Sequence, residues 1–136
     1  MSLLVLSIPA NAQEYRSGWD IIDSGTLEDL YVVESQGSEI WAFGENGIMI
    51  MSLDGGLTWE VSESLTSSDL TISSSGYGSF LTASSDGTIL LKSANDSVWS
   101  NITNDFGNEG IHGACLTDVS ELVIVGGNGT IWTYEM

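Results

Sequence analysis

Nineteen acidic side chains set against two basic ones are the main chemical resource of this sequence. Carboxylates held about 5–9.5 Å apart can hydrolyse a glycosidic bond, one as acid and the other as base or nucleophile. Asp23 with Glu28, and Glu39 with Glu45, are candidate pairs, although no surrounding motif singles them out. The run N-D-F-G-N-E at 104–109 offers oxygen ligands of the kind hard cations prefer, with Asp105, Asn108 and Glu109 as candidates for calcium. Its spacing departs from the EF-hand loop, so a polar turn is the simpler account, and no cofactor or metal is expected. His112 and Cys115 stand three apart in a strand-like run, a spacing that sends them to opposite faces and disfavours a shared metal. A buried small cysteine and a hydrogen-bonded histidine are expected there. Glycines 44, 47, 126, 127 and 129 occupy turns with acidic neighbours and no following helix, so they make no phosphate cradle. With no Ser-His-Asp or Cys-His signature, no catalytic residue is assigned and the chain reads as non-enzymatic.

Charge narrows the partners. The 136 residues carry a formal net charge of −17, with Arg16 and Lys92 the two cations. Binding nucleic acid or an anionic membrane surface needs clustered Lys and Arg, so both are excluded. A hydrophobic content of 42%, one proline and five tryptophans argue for a packed core rather than disorder. The lone Cys115 can make no internal disulfide. The apolar run at 3–8 is too short to span a bilayer, so no membrane insertion is expected. Followed by Pro9 and by A-N-A at 10–12, it reads as the remnant of a signal peptide over 1–12. An extracellular, periplasmic or cell-surface location is expected on that ground, and sequons at Asn95, Asn101 and Asn128 agree with it.

The elements that would position these residues repeat with a period of about 40. Trp19, Trp59 and Trp99 are evenly spaced, and Asn46-Gly47, Asp86-Gly87 and Asn128-Gly129 follow in the same register. Asp29-Leu30 and Asp69-Leu70 each trail their tryptophan by the same interval. Within a repeat, runs such as DLYVVES, SEIWAFGE, GIMIMS and TWEVSES are short, rich in β-branched or aromatic residues, and bounded by turn formers. Asn46-Gly47 between two such runs predicts a type I′ hairpin turn. Four short antiparallel strands per 40 residues make the blade of a β-propeller.

The expected fold is therefore all-β, with about three blade equivalents. Residues 13–28 supply a closing strand, with G-W-D-I-I-D-S at 18–24 equivalent to the strand around Trp59. Blade 1 spans 29–68, blade 2 spans 69–109, and an incomplete blade 3 spans 110–136. Three blades fall short of the four or more that normally close a ring, so a homo-oligomer or a longer chain is expected.

The run S-L-D-G-G-L-T-W at 52–59 fits S-x-D-x-G-x-T-W through Ser52, Asp54, Gly56, Thr58 and Trp59. It resembles the Asp-box, or bacterial neuraminidase repeat, and its surroundings are similar to the repeat of the photosystem II assembly and stability factor family. The second repeat keeps Trp99 but carries Lys92, Ala94, Asp96 and Val98 at the other box positions. The resemblance implies a propeller in which the box is a structural turn and the role is binding or assembly. Sialidases with the same box hold a substrate carboxylate through several arginines, and Arg16 alone cannot do this. The arginine patch of the photosystem factors likewise has no counterpart here.

The leading expectation is a secreted or surface propeller module that binds a protein or a glycan, or assembles with itself. A fragment of a propeller-type glycoside hydrolase, and a purely structural repeat of a larger surface protein, are the alternatives. Trp41, Tyr77, Trp132 and Tyr134 are the aromatics able to form a ligand platform, with Tyr77 in its G-Y-G-S loop the surface candidate and core packing expected of Trp41 and Trp132.

Overall fold

The computed structural model describes residues 18–106, 109–118 and 121–136. The signal-remnant reading of 1–12, the first part of the closing strand, Arg16 and Asn108 lie outside these residues.

The chain is all-β. The first sheet contains β1 (Leu30–Gln36), β2 (Glu39–Gly44), β3 (Met49–Ser52) and β4 (Glu60–Val61), in the order β1-β2-β3-β4. The second contains β5 (Ile72–Gly76), β6 (Ser79–Ala83), β7 (Ile89–Lys92) and β8 (Ser100–Asn101) in the same order. The third contains β9 (Gly113–Leu116), β10 (Glu121–Val125) and β11 (Ile131–Glu135), with β10 between the other two. Every pairing is antiparallel between neighbours in sequence, as short loops demand. The three sheets are the three expected blades.

Turn chemistry sets the strand register. Asn46 and Asn128 adopt φ of 53° and 55°, each followed by a glycine of positive φ, with Ile48 N bonding Glu45 O and Thr130 N bonding Gly127 O. These are type I′ geometries, matching the right-handed twist of the flanking strands. The middle repeat closes differently: Gly87 N bonds Ser84 O, and Asp86 bonds the Thr88 amide through its side chain.

Alternation then divides each strand between two faces. Between blades 1 and 2, Trp41, Phe43, Met49, Leu70, Phe80 and Leu90 form one buried cluster. Between blades 2 and 3, Leu81, Ile89, Leu91, Ile111, Leu122 and Ile124 form another. The middle strand of blade 2 is buried on both faces, from Ser79 to Ala83. Strands β1, β5 and β9 run side by side where the blades converge. There Glu34 accepts hydrogen bonds from the hydroxyls of Ser73 and Ser75, both at 2.8 Å, and Ser74 Oγ accepts one from the Leu116 amide.

Among the described residues, two faces have no neighbouring blade. That of blade 1 presents Tyr31, Val33 and Val61, and that of blade 3 presents Cys115, Val125 and Ile131. Residues 18–29 form no strand within the chain, and Trp19 and Ile21 are fully exposed. The described part of the closing strand expected over 13–28 is thus not assigned as a strand.

Candidate functional site

Antiparallel topology puts two sets of loops at opposite ends of the blades. One end carries the turn between the first and second strands of each blade, together with the link between its third and fourth strands. The other carries the second-to-third turns and the connections from one blade to the next. Backbone hydrogen bonds tie each set together: Gly55 N to Ser38 O at the first end, Glu45 N to Asp29 O and Gly127 N to Glu109 O at the second.

At the first end lies the turn that joins β3 to β4. Asp54 Oδ1 accepts bonds from Ser52 Oγ at 2.8 Å, Leu57 N at 3.0 Å and Thr58 N at 2.9 Å, and Oδ2 accepts one from Thr58 Oγ1 at 2.5 Å. The buried Ser52 hydroxyl also accepts from Gly56 N, and Trp59 Nε1 donates to Gly56 O. Led by the Thr58 hydroxyl, these donors hold the Asp54 carboxyl down at about 2 against an ordinary 3.8. Both oxygens are occupied inside the turn, so the group is committed to holding the loop and offers little to a ligand. The corresponding loop of blade 2 lacks these donors, and Trp99 Nε1 is buried with no hydrogen-bond partner.

Tyr77 shares this end. The residue is 71% exposed and its φ is +54°, a left-handed conformation uncommon for a bulky residue. It borders an open pocket with Ser93, Asn95, Thr117 and Asp118. Trp41 requires a correction as a ligand platform. It is 4% exposed, donates from Nε1 to Glu39, and packs between blades 1 and 2. Trp132 packs edge-on against Phe106 with centroids 4.9 Å apart, while Tyr134 stays exposed.

Other candidates are separated or differently placed. Glu39 and Glu45 bracket β2, six strand steps apart or about 20 Å, too far for a glycosidase pair. Glu39 is held by Trp41 and by Lys92 Nζ at 3.3 Å. Asp23 accepts a bond from Gly25 N within its own turn. Cys115, expected to be buried, is exposed, because its side of β9 belongs to the face without a neighbouring blade. Among the described residues no group of three or more His, Cys, Asp or Glu is arranged to hold a metal ion, and no helix is long and apolar enough to cross a membrane.

The second end gathers residues that composition alone did not single out. Asn46 is the hub: its amide donates to Asp69 Oδ1 at 2.9 Å and its side chain to Glu28 Oε2 at 3.0 Å. Glu45 reaches the Asp29 amide. Partial burial, with Asp69, Glu45, Asp29 and Glu28 nearby, raises the Tyr31 phenol above its ordinary value. Farther along, Asp86 accepts from Ser68 Oγ at 2.6 Å and from Thr88 N, bonds that lower its carboxyl. The signal for this end was the recurrence of Asp29 and Asp69 in the repeat, which becomes spatial once each interblade connection lies against an Asn-Gly or Asp-Gly turn.

The sequence matches no protein-family model and no curated protein. Solved structures do match. The structure of YCF48 bound to D1 peptide aligns with a TM-score of 0.75 at 15% identity, covering 87% of this chain and 40% of that one. YCF48 from Cyanidioschyzon merolae gives 0.75 at 16%, covering 88% and 38%. The computationally designed Ika4 protein gives 0.63 at 13%, covering 79% and 66%. The chain thus spans about two fifths of the YCF48 chains. Its fold is that of part of a β-propeller, similar to the propeller of that photosystem II assembly factor.

Proposed function

We propose that this chain is a non-enzymatic propeller module that binds a protein partner, and that the partner presents a basic segment to the acidic end of the blades. The observation that carries the reading is the convergence of Glu28, Asp29, Glu45 and Asp69 around Asn46 and Tyr31. Such a concentration of one sign attracts and orients a segment of the other, and raises association rates at low salt. The likeness to the structure of YCF48 bound to D1 peptide supports a protein partner. A secreted or cell-surface setting belongs to the same proposal and rests on the sequence at 1–12.

Fluorescence anisotropy with labelled peptides tests this. A lysine-rich peptide should bind, a glutamate-rich peptide of equal length should not, and the affinity should fall with added salt. Glu28→Gln with Asp69→Asn should weaken the lysine-rich peptide about tenfold, in line with losing about 1.4 kcal/mol of charge pairing. Equal binding of both peptides, or none of either, would sink the reading.

A second reading, glycan binding, is favoured by the exposed Tyr77 ring beside a pocket lined with Ser93, Asn95 and Asp118. Retention on a glycan array that Tyr77→Ala abolishes would support it. Turnover of the glycan would point instead to a hydrolase fragment, and neither retention nor turnover to a purely structural repeat.

A further inference from the structure

We propose that the groove between blades 1 and 2, at their outer rim, is a docking site for a peptide. It takes an aliphatic side chain of the partner, while a carbonyl of the same peptide accepts a hydrogen bond from Trp99 Nε1. This site lies beyond the acidic end and does not depend on it.

The groove holds about 410 Å³, within the range of about 300–1,000 Å³ that small-ligand sites occupy. Its apolar walls are Trp41, Met51, Leu65, Val98 and Trp99. Trp41 and Trp99 meet edge-on, 5.1 Å apart at 82°, which fixes the aromatic part of the wall. Leu65 and Val98 stay exposed, at 39% and 67%. The two sheets that supply these residues both have four strands, so the groove owes nothing to the blades beyond them.

An unpaired donor says what the occupant must carry. In blade 1 the repeat tryptophan, Trp59, donates from Nε1 to Gly56 O inside the turn held by Asp54. Forty residues on, Ala94, Asp96 and Val98 stand at the positions of Asp54, Gly56 and Thr58. The turn is not rebuilt there, and Trp99 Nε1 is left buried without an acceptor. Such an N–H is costly to leave unpaired, so an oxygen brought to it gains more than one brought to a solvated donor. The neighbouring loop can yield to admit it. Residues 93–98 are tied by Asp96 N to Ser93 O and Ala94 N to Ser79 Oγ. Ala94 and Val98 supply none of the side-chain bonds that Asp54 and Thr58 make in blade 1.

Charge then selects among acceptors. Lys92 lines the groove but is paired with Glu39 at 3.3 Å, and Glu39 also takes the Trp41 Nε1 bond. That cation is therefore neutralised, and exposed Glu63 gives the groove a negative border. A fatty acid or another carboxylate ligand would find no free positive charge, so the acceptor must be neutral. A peptide carbonyl is neutral and comes with a side chain one bond away, and a lysine beside it in sequence would answer Glu63. A sugar also offers neutral oxygens, but walls of methionine, leucine and valine suit an aliphatic chain rather than hydroxyls.

Two blocked tripeptides of equal charge, lysine–leucine–lysine and lysine–serine–lysine, test the site by NMR on the whole chain. Attraction to the acidic end acts on both alike, so the difference between them reads the groove alone. The leucine peptide should bind about tenfold more tightly. It should also move the Trp99 indole N–H signal downfield, that signal being identified by its loss in Trp99→Phe. The serine peptide should leave the signal in place. Leu65→Ser with Val98→Ser, at exposed positions, should bring the two affinities within about twofold of each other with the circular dichroism unchanged. Glu28→Gln with Asp69→Asn should keep the ratio, whatever it does to both affinities. Equal affinities for the unsubstituted chain would overturn the proposal. So would an indole signal that moves with neither peptide or with both, or a leucine preference that survives the two serine substitutions.

Discussion

Trp99 of blade 2 stands edge-on to Trp41 of blade 1, with ring centroids 5.1 Å apart and planes at 82°. Phe43 meets the same indole at 5.5 Å and 86°, so one side chain immediately before the outermost strand of blade 2 anchors that blade to two aromatics of its neighbour. Trp99→Ala should cost about 3 kcal/mol, the low end for a large aromatic because the residue is partly exposed. Urea denaturation followed by circular dichroism reads this out, and a loss below about 1 kcal/mol would contradict the anchoring role.

Asp54 makes stability depend on pH in a defined direction. Its carboxyl titrates near 2 in the folded chain and near 3.8 when free of its turn, so the unfolded state takes up the proton first as pH falls. The stabilisation it contributes is complete above about pH 5 and lost as pH falls from 4 towards 2. Asp54→Asn should therefore melt lower than the unsubstituted chain at neutral pH, and the gap should close across that window. Thermal melts at a series of pH values would show a constant gap if the carboxylate were idle.

Gly47 holds a position that no side chain can share. Its φ is +75°, and a Cβ there would lie 2.0 Å from the carbonyl oxygen of Thr66. Gly47→Ala must both strain the turn and push back the connection to blade 2, at a cost of roughly 2–4 kcal/mol. Gly55→Ala is a useful control, since its φ is also +75° but nothing lies within 4 Å of the added carbon. If the two variants melt together, close approach is not the cause.

Net charge should make the fold salt-dependent. Nineteen carboxylates against two cations leave a net self-repulsion that is stronger in the compact state than in the extended one. Raising sodium chloride from about 0.01 M to about 1 M shortens the Debye length from about 30 Å to about 3 Å and should raise the melting temperature by a few degrees. A fall in melting temperature would mean that attraction, such as Lys92 with Glu39, outweighs repulsion.

Much of the fold was legible because it is encoded locally. Asn-Gly turns, alternating apolar runs and a tryptophan every 40 residues each act over a few residues, and the four strands of the first sheet lie within one residue of the runs the sequence marks out. The strand expected at 18–24 is the exception. Its sequence matches the fourth-strand pattern, but a strand forms only when another edge is within reach, which local sequence does not decide.

The candidate residues divide along the same line. Asp54 and its partners lie within five residues of one another, so their bonding follows from spacing. Whether an aromatic is a platform or a core side chain depends on which sheet covers its face: Trp41 has blade 2 against it, and Tyr77 has none. The acidic end is formed by residues from Glu28 to Asp69, which meet only after each connection folds back on the turn of its blade. The sequence by itself determined the repeat, the strands, the turns and the charge, since these depend on neighbours along the chain. The tertiary structure decided which carboxylates converge, which tryptophans are buried and which strand edge stays open, since those depend on contacts between residues distant in the chain.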